Sequence, residues 1–254
     1  MKKLIIGSVG PSPTEATPCY RWLVLQDGEL PLRPDLSINH LLEHRCTSVI
    51  LWPADQDPSP HNVLVTDPCF TRVGLAVARR RLQSLGLAIE DLGRCFVTHG
   101  HLDHTPHLPP SILSRGPRSW TRFAPGSPSA TLVGFEAVAC PGHEVDLHSL
   151  VFWSRDEQGR LRKCWVVGDA VLDEDWLRAW GYYWPNQYSP VDIVQTWRSV
   201  ARVLEADWIF PGHGPPIQVT QELLVHLERT FPLAEFADDC PDVARTLARL
   251  IHPS

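Results

Sequence analysis

The chain has 254 residues, 43% of them hydrophobic, with 23 basic against 29 acidic side chains and a formal charge of −6. That length and apolar content suit one layered α/β domain spanning residues 1–254. The mild acidity provides no basic stripe to neutralise phosphates, which weighs against a nucleic-acid binder.

The start, Met1-Lys2-Lys3-Leu4-Ile5-Ile6, is broken early by Gly7, Gly10 and Pro11, too soon for the apolar run of a signal peptide. No stretch is long enough to cross a bilayer, so a protein of the cytoplasm is expected. Strands are predicted over residues 4–9, 20–26, 47–52 and 62–67, with the Pro-rich run 53–61 as a turn. Helical apolar spacing runs from Val73 to Leu85, and Arg79, Arg80 and Arg81 belong to its solvated face. Cys95 to Thr98 reads as a short strand. Residues 105–128, rich in Pro and Ser, read as surface chain and carry Arg115, Arg118 and Arg122. Strands recur at 131–139, 148–154, 162–168 and 207–210, and helices at 190–205, 219–229 and 241–251. This order predicts two facing sheets with helices outside, a four-layer αββα sandwich. The 24 prolines are spread between apolar runs and imply stiff loops rather than disorder. Seven cysteines without a C-x-x-C pair read as reduced, mostly buried thiols, Cys140 among them as a packed strand-end thiol.

The chemistry concentrates in His99-Gly100-His101-Leu102-Asp103-His104. Three imidazoles and a carboxylate in one tight turn are more than one tetrahedral ion can draw from a short loop. Two adjacent ions are the natural reading, His99 and His101 serving one, Asp103 and His104 the other. Further donors close three later apolar runs: His143 after Pro141-Gly142, Asp169 after Val166-Val167-Gly168, and His213 after Pro211-Gly212. Strand ends and the loops beyond them are where sites are built.

With these motifs the chain resembles the metallo-β-lactamase superfamily over about residues 20–220. The carrying runs are Thr98–His104, Pro141-Gly-His143, Gly168-Asp169 and Pro211-Gly-His-Gly214, with Val63-Leu-Val-Thr-Asp67 as a softer match. The resemblance implies that His99, His101 and His143 hold a first metal, that Asp103, His104 and His213 hold a second, and that Asp169 bridges them. Asp67 would orient the ligand loop without touching metal. All seven ligand positions are filled, which points to the dinuclear hydrolase branches rather than to penicillin-destroying enzymes. The continuations Thr105-Pro-His-Leu-Pro-Pro110 and Glu144-Val-Asp-Leu-His148 depart from the usual pattern and alter the pocket walls.

These readings converge on a metal-dependent hydrolase acting through a hydroxide that bridges two ions, with Asp169 and Asp103 as the catalytic carboxylates. Zinc is the first candidate, iron or manganese the alternatives. The expected substrate is a small carboxylic ester, lactone or thioester. The alternatives are a phosphodiesterase or ribonuclease of the same fold, and a mononuclear iron oxygenase or non-catalytic metal-binding protein. The aromatic segment after Asp169, Trp176 to Tyr188, is where substrate recognition is expected, because aromatics with polar tips suit binding surfaces; Trp176, Trp180, Tyr182 and Tyr183 there, with His107, are the candidate substrate-binding side chains. His40, His44, His61, His226 and His252 lie in no motif and are read as surface residues. No membrane partner is expected, and a homodimer is left open.

Overall fold

The computed structural model describes residues 17–107, 120–124, 132–185 and 187–252. The strand expected at 4–9, and Arg115 and Arg118, lie outside the described residues.

The first sheet holds β1 (Tyr20–Gln26), β2 (Ser48–Pro53), β3 (Leu64–Thr66), β4 (Arg94–Phe96) and β5 (Thr121–Arg122), in that order. β1, β2 and β3 pair antiparallel, and β3, β4 and β5 pair parallel. The parallel step from β3 to β4 is bridged by α1 (Arg72–Ser84). The second sheet has the order β10-β9-β8-β7-β6, made of β6 (Glu136–Ala139), β7 (His148–Arg155), β8 (Leu161–Gly168), β9 (Trp208–Pro211) and β10 (Ile217–Gln218). Here β6–β7, β7–β8 and β9–β10 are antiparallel, and β8–β9 is parallel across α2 (Glu174–Arg178) and α3 (Pro190–Val203). α4 (Gln221–Thr230) and α5 (Pro241–Ile251) follow.

Side chains alternate across a strand, so a strand buried on both faces reads as one continuous apolar run. In β2, Val49 and Leu51 join Leu150, Phe152 and Phe210 of the other sheet in the inter-sheet core, while Ile50 and Trp52 pack with Leu75, Ala78 and Leu82 of α1. In β8, Cys164 and Val166 face the first sheet, while Trp165 and Val167 join the helices α2 to α5. The three apolar layers are those of the αββα sandwich. The helix starts follow from their capping residues. Thr71 and Thr220 each accept a backbone N–H from the first turn, and Ser189 with Asp192 forms a capping box ahead of Pro190.

Three short elements were not expected: β5 in the Pro-rich stretch, α2 in the aromatic segment, and β10. β5 and β10 have two residues each, and α2 five, too few to show a period.

The pairing directions decide where the motifs meet. β3 and β4 run parallel, so Asp67 and the 99–104 loop leave the same edge of the first sheet. β6 is antiparallel to β7, and β7 to β8, so β6, β8 and β9 share a direction. His143, Asp169 and His213 therefore leave one edge of the second sheet, as ligand sites do at the carboxyl ends of strands.

Candidate metal centre

At that edge the donor atoms form groups. His99, His101, His143 and Asp169 offer atoms all within 4.8 Å of one another, as do His104, Asp169 and His213. A third group, His44, Asp103 and His213, meets the same criterion. Asp169 is shared by the first two groups and His213 by the last two.

Each motif imidazole commits one ring nitrogen to an anchor. His99 Nδ1 lies 3.1 Å from Thr98 Oγ1, which itself donates to Asp67 Oδ2 at 2.8 Å. His101 Nε2 donates to Glu144 Oε1 at 2.8 Å. His104 Nδ1 donates to Asp67 Oδ2 at 3.0 Å. His143 Nδ1 meets Tyr188 Oη at 2.5 Å. His213 Nδ1 donates to the Arg45 carbonyl at 2.8 Å. A proton fixed on one nitrogen leaves a lone pair on the other.

Those other nitrogens converge on one another and on Asp169. With His143 protonated towards Tyr188, its Nε2 faces His101 Nδ1 at 3.0 Å, lone pair against lone pair. Asp169 Oδ1 lies 3.1 Å from His104 Nε2 and 3.3 Å from His213 Nε2, and Oδ2 lies 3.3 Å from His143 Nε2. His99 Nε2, His104 Nε2 and Asp169 Oδ1 are buried without a hydrogen-bond partner. Buried polar atoms are normally paired, and acceptors pointed at a common space require a cation there. Neutral imidazole and carboxylate are the donors a divalent metal takes. The donor set therefore fits divalent metal.

The electrostatics agree. Burial drives His99 down to about 2 and also lowers His143, favouring the neutral form that coordinates. Burial works against charge on His104 and His213 as well, but Asp169 beside both, helped by Asp67 at His104, raises them. Burial likewise opposes charge on Asp169, yet His213 and His104 hold its carboxyl well below the usual range. The Asp169 carboxylate thus favours positive charge beside it, whether on these two imidazoles or on a bound cation.

Two backbone features make the arrangement possible. Asp67 sits in the left-handed region at φ 41°, a conformation that Asp tolerates better than most residues, and this turns its carboxylate under the ligand loop. A Cβ on Gly212 would stand 1.9 Å from Asp169 Oδ1, so only glycine lets His213 approach that carboxylate.

The other candidates fall differently. Trp176 and Trp180 are core residues, 2% and 3% exposed, packed with Trp197, and their indole N–H groups donate to the carbonyls of Tyr183 and Leu227. They pack helix against sheet rather than forming an open binding surface. Tyr183 packs against that same core, and Tyr182 donates to Asp173 at 3.1 Å. The tyrosine that reaches the imidazoles is Tyr188. The exposed His107 bridges to Cys69 through its main chain, beside the Asp67 turn. His44 is not a plain surface residue, since its Nε2 is buried 3.4 Å from Asp103 Oδ2. The Cys140 thiol is buried and accepts from Ser149 at 3.2 Å. Tyr188 stood in the aromatic segment already singled out, and Glu144 in a noted departure. Nothing in its local sequence marks His44.

Two facing mixed sheets, helices on both outer faces and a His/Asp cluster at one sheet edge make this the metallo-β-lactamase fold. Among solved structures similar to it, one is a Thermotoga maritima protein provisionally named a metallo-β-lactamase, at 18% identity over 79% of this chain and 99% of that one, with a TM-score of 0.52. Another is a probable metal-dependent hydrolase from Staphylococcus aureus, at 12% identity over 82% of this chain and 95% of that one, with a TM-score of 0.50. No protein-family model and no curated protein matches the sequence. The His/Asp groups at the sheet edge fit divalent-metal binding within this fold. Among the described residues no helix is long and apolar enough to cross a membrane.

Proposed function

We propose that residues 1–254 form one hydrolase domain that binds two divalent ions, zinc first among them, and cleaves a carboxylic ester, lactone or thioester. The observation that carries this reading is the sharing of Asp169 between two donor groups, with His99 Nε2, His104 Nε2 and Asp169 Oδ1 buried and without a hydrogen-bond partner. In this reading His99, His101 and His143 would hold one ion and Asp103, His104 and His213 the other, with Asp169 available to both. Two such ions supply an activated water and polarise a substrate oxygen.

The chain's own groups do the rest. The Asp169 carboxylate, with imidazole nitrogens 3.1–3.3 Å from its two oxygens, would serve both positions. Asp103 is partly exposed, and its carboxylate would orient the water as well as bind. Tyr188 accepts from His143 through Oη and keeps its own proton, because burial raises its pKa well above the ordinary value. That leaves its O–H free to donate.

The acyl reading over the phosphodiester one is supported by what lies beside the donors in the chain. Leu102, between His101 and Asp103, and Val145, two residues after His143, are 87% and 86% exposed and offer apolar surface to an acyl group. The nearby Arg45 guanidinium is occupied by Glu29 and Glu43, and Glu144 adds negative charge at His101. A phosphodiester needs cations there instead. The test is metal analysis of zinc-reconstituted protein, combined with a hydrolysis screen over lactones, thioesters and phosphodiesters. Two zincs per chain with acyl hydrolysis is the expected result. At most one metal per chain, or cleavage of phosphodiesters alone, would refute it.

A further inference from the structure

We propose that His44 is a further donor to the second metal position, which then draws on His44, Asp103, His104, Asp169 and His213. This deepens the two-metal reading above and rests on it.

The placement follows from the fold. β1 and β2 form an antiparallel pair, and β2 is antiparallel to β3, so the connection of residues 27–47 returns to the edge from which Asp67 and the 99–104 loop emerge. That connection is fastened to the His213 turn. Thr47 N–H donates to the Gly212 carbonyl at 2.6 Å, and Thr47 Oγ1 donates to the Gly214 carbonyl at 2.8 Å. The Arg45 carbonyl anchors His213 itself. A Cβ on Gly28 would stand 2.7 Å from His213 Cα, so the two backbones are in direct contact there. Thus the loop that orients His213 also carries His44.

The His44 ring then lies against the His213 ring, with centroids 4.6 Å apart. Its Nε2, the Asp103 carboxylate oxygen and a His213 nitrogen lie within 4.8 Å of one another. Nε2 is 3.4 Å from Asp103 Oδ2, yet it is buried without a hydrogen-bond partner. A ring held merely to orient Asp103 would make that hydrogen bond. A nitrogen pointed with Asp103 and His213 at one space, and bonded to neither, has the geometry of a ligand. Three imidazoles and two carboxylates also exceed the four donors of a tetrahedral zinc site. The position would suit an ion that takes five or six ligands, such as manganese or iron(II).

Cobalt(II) alone is a suitable probe, because its visible absorption reports coordination number. Metal-free wild type, His44→Ala and His44→Gln are titrated with it and followed by absorption and calorimetry. The His44 side chain is about a third exposed, so truncation leaves the fold in place, as an unchanged urea midpoint of the metal-free protein would verify. In both variants the first equivalent binds as in wild type. The second equivalent binds roughly 10-fold or more weakly, on the scale by which even outer partners alter metal affinity, and its visible bands grow stronger as coordination number falls. A second equivalent in His44→Ala within twofold of wild type, with the same spectrum, overturns the proposal. So does rescue by His44→Gln, whose amide restores a donor to Asp103 and would make His44 a positioning residue. A wild type that takes only one equivalent overturns the two-metal reading itself.

Discussion

Asp67→Asn isolates the carboxylate beneath the ligand loop. Asp67 is 1% exposed and accepts three hydrogen bonds: Thr98 N–H on Oδ1, and Thr98 Oγ1–H with His104 Nδ1–H on Oδ2. Asparagine is nearly isosteric and at ease at φ 41°, so the backbone is not the variable. Its single oxygen can face either the Thr98 N–H or the His104 pair. In either orientation the NH2 group confronts a buried donor, and at least one N–H loses its acceptor. A buried donor left unmet costs about 1–3 kcal/mol. If that donor is His104 Nδ1–H, the ring can also shift its proton to Nε2 and cover the lone pair that faces Asp169. Loss of an outer partner of this kind lowers metal affinity roughly 10–100-fold, about 1.4 to 2.8 kcal/mol at 1.4 kcal/mol per decade. Urea unfolding of the metal-free variant and zinc titration against a competing chelator measure the two effects separately. Zinc affinity within twofold of wild type, with an unchanged unfolding midpoint, would show that Asp67 does not hold His104.

Asp169→Asn should do more harm than Asp67→Asn, because the carboxylate is shared by both donor groups. Zinc analysis after gel filtration is expected to show loss at both positions, and equal retention in the two variants would contradict this. Gly212→Ala drives a methyl into Asp169 Oδ1, so the turn or the carboxylate must move. A stability loss of about 1–3 kcal/mol, typical of overpacking, together with weaker zinc binding, should appear in thermal unfolding with and without metal.

The motifs ending in Asp169 and His213 are legible in sequence because each closes an apolar run, the buried strands β8 and β9, whereas the 99–104 run is legible from its density of donors alone. The strand at residues 47–52 was within a residue or so of β2, and the helix expected at 241–251 coincides with α5. What was not legible depends on contacts between distant segments. His44 lies in a connection with no period, and only the antiparallel return of β2 brings it to the site. The aromatic segment after Asp169 was misweighted for a related reason. Trp176 lies in α2 and Trp180 just past its end in the left-handed region at φ 50°, and the structure buries both rings against Trp197. Tyr188 sits just before the Ser189 cap of α3, and the start of that helix carries its hydroxyl to His143.

The five motif imidazoles are held by five anchors of four kinds: a hydroxyl, two carboxylates, a phenol and a backbone carbonyl. That variety follows from where each histidine enters. His99 and His104 flank the same turn and both lean on the Thr98–Asp67 pair, which ties β4 to β3. His213 is reached only by the β1–β2 connection, so its partner is main chain. His143 stands between β6 and α3, whose leading end supplies Tyr188. His101 is 32% exposed, and its partner comes from the adjacent loop, where Glu144 provides it. A residue that departs from the expected continuation after His143 is thus the one that holds the least supported ligand. With Nε2 committed to Glu144, Nδ1 is the only nitrogen His101 can turn towards His143, which fixes the geometry of the first donor group through a charge-assisted bond rather than through burial.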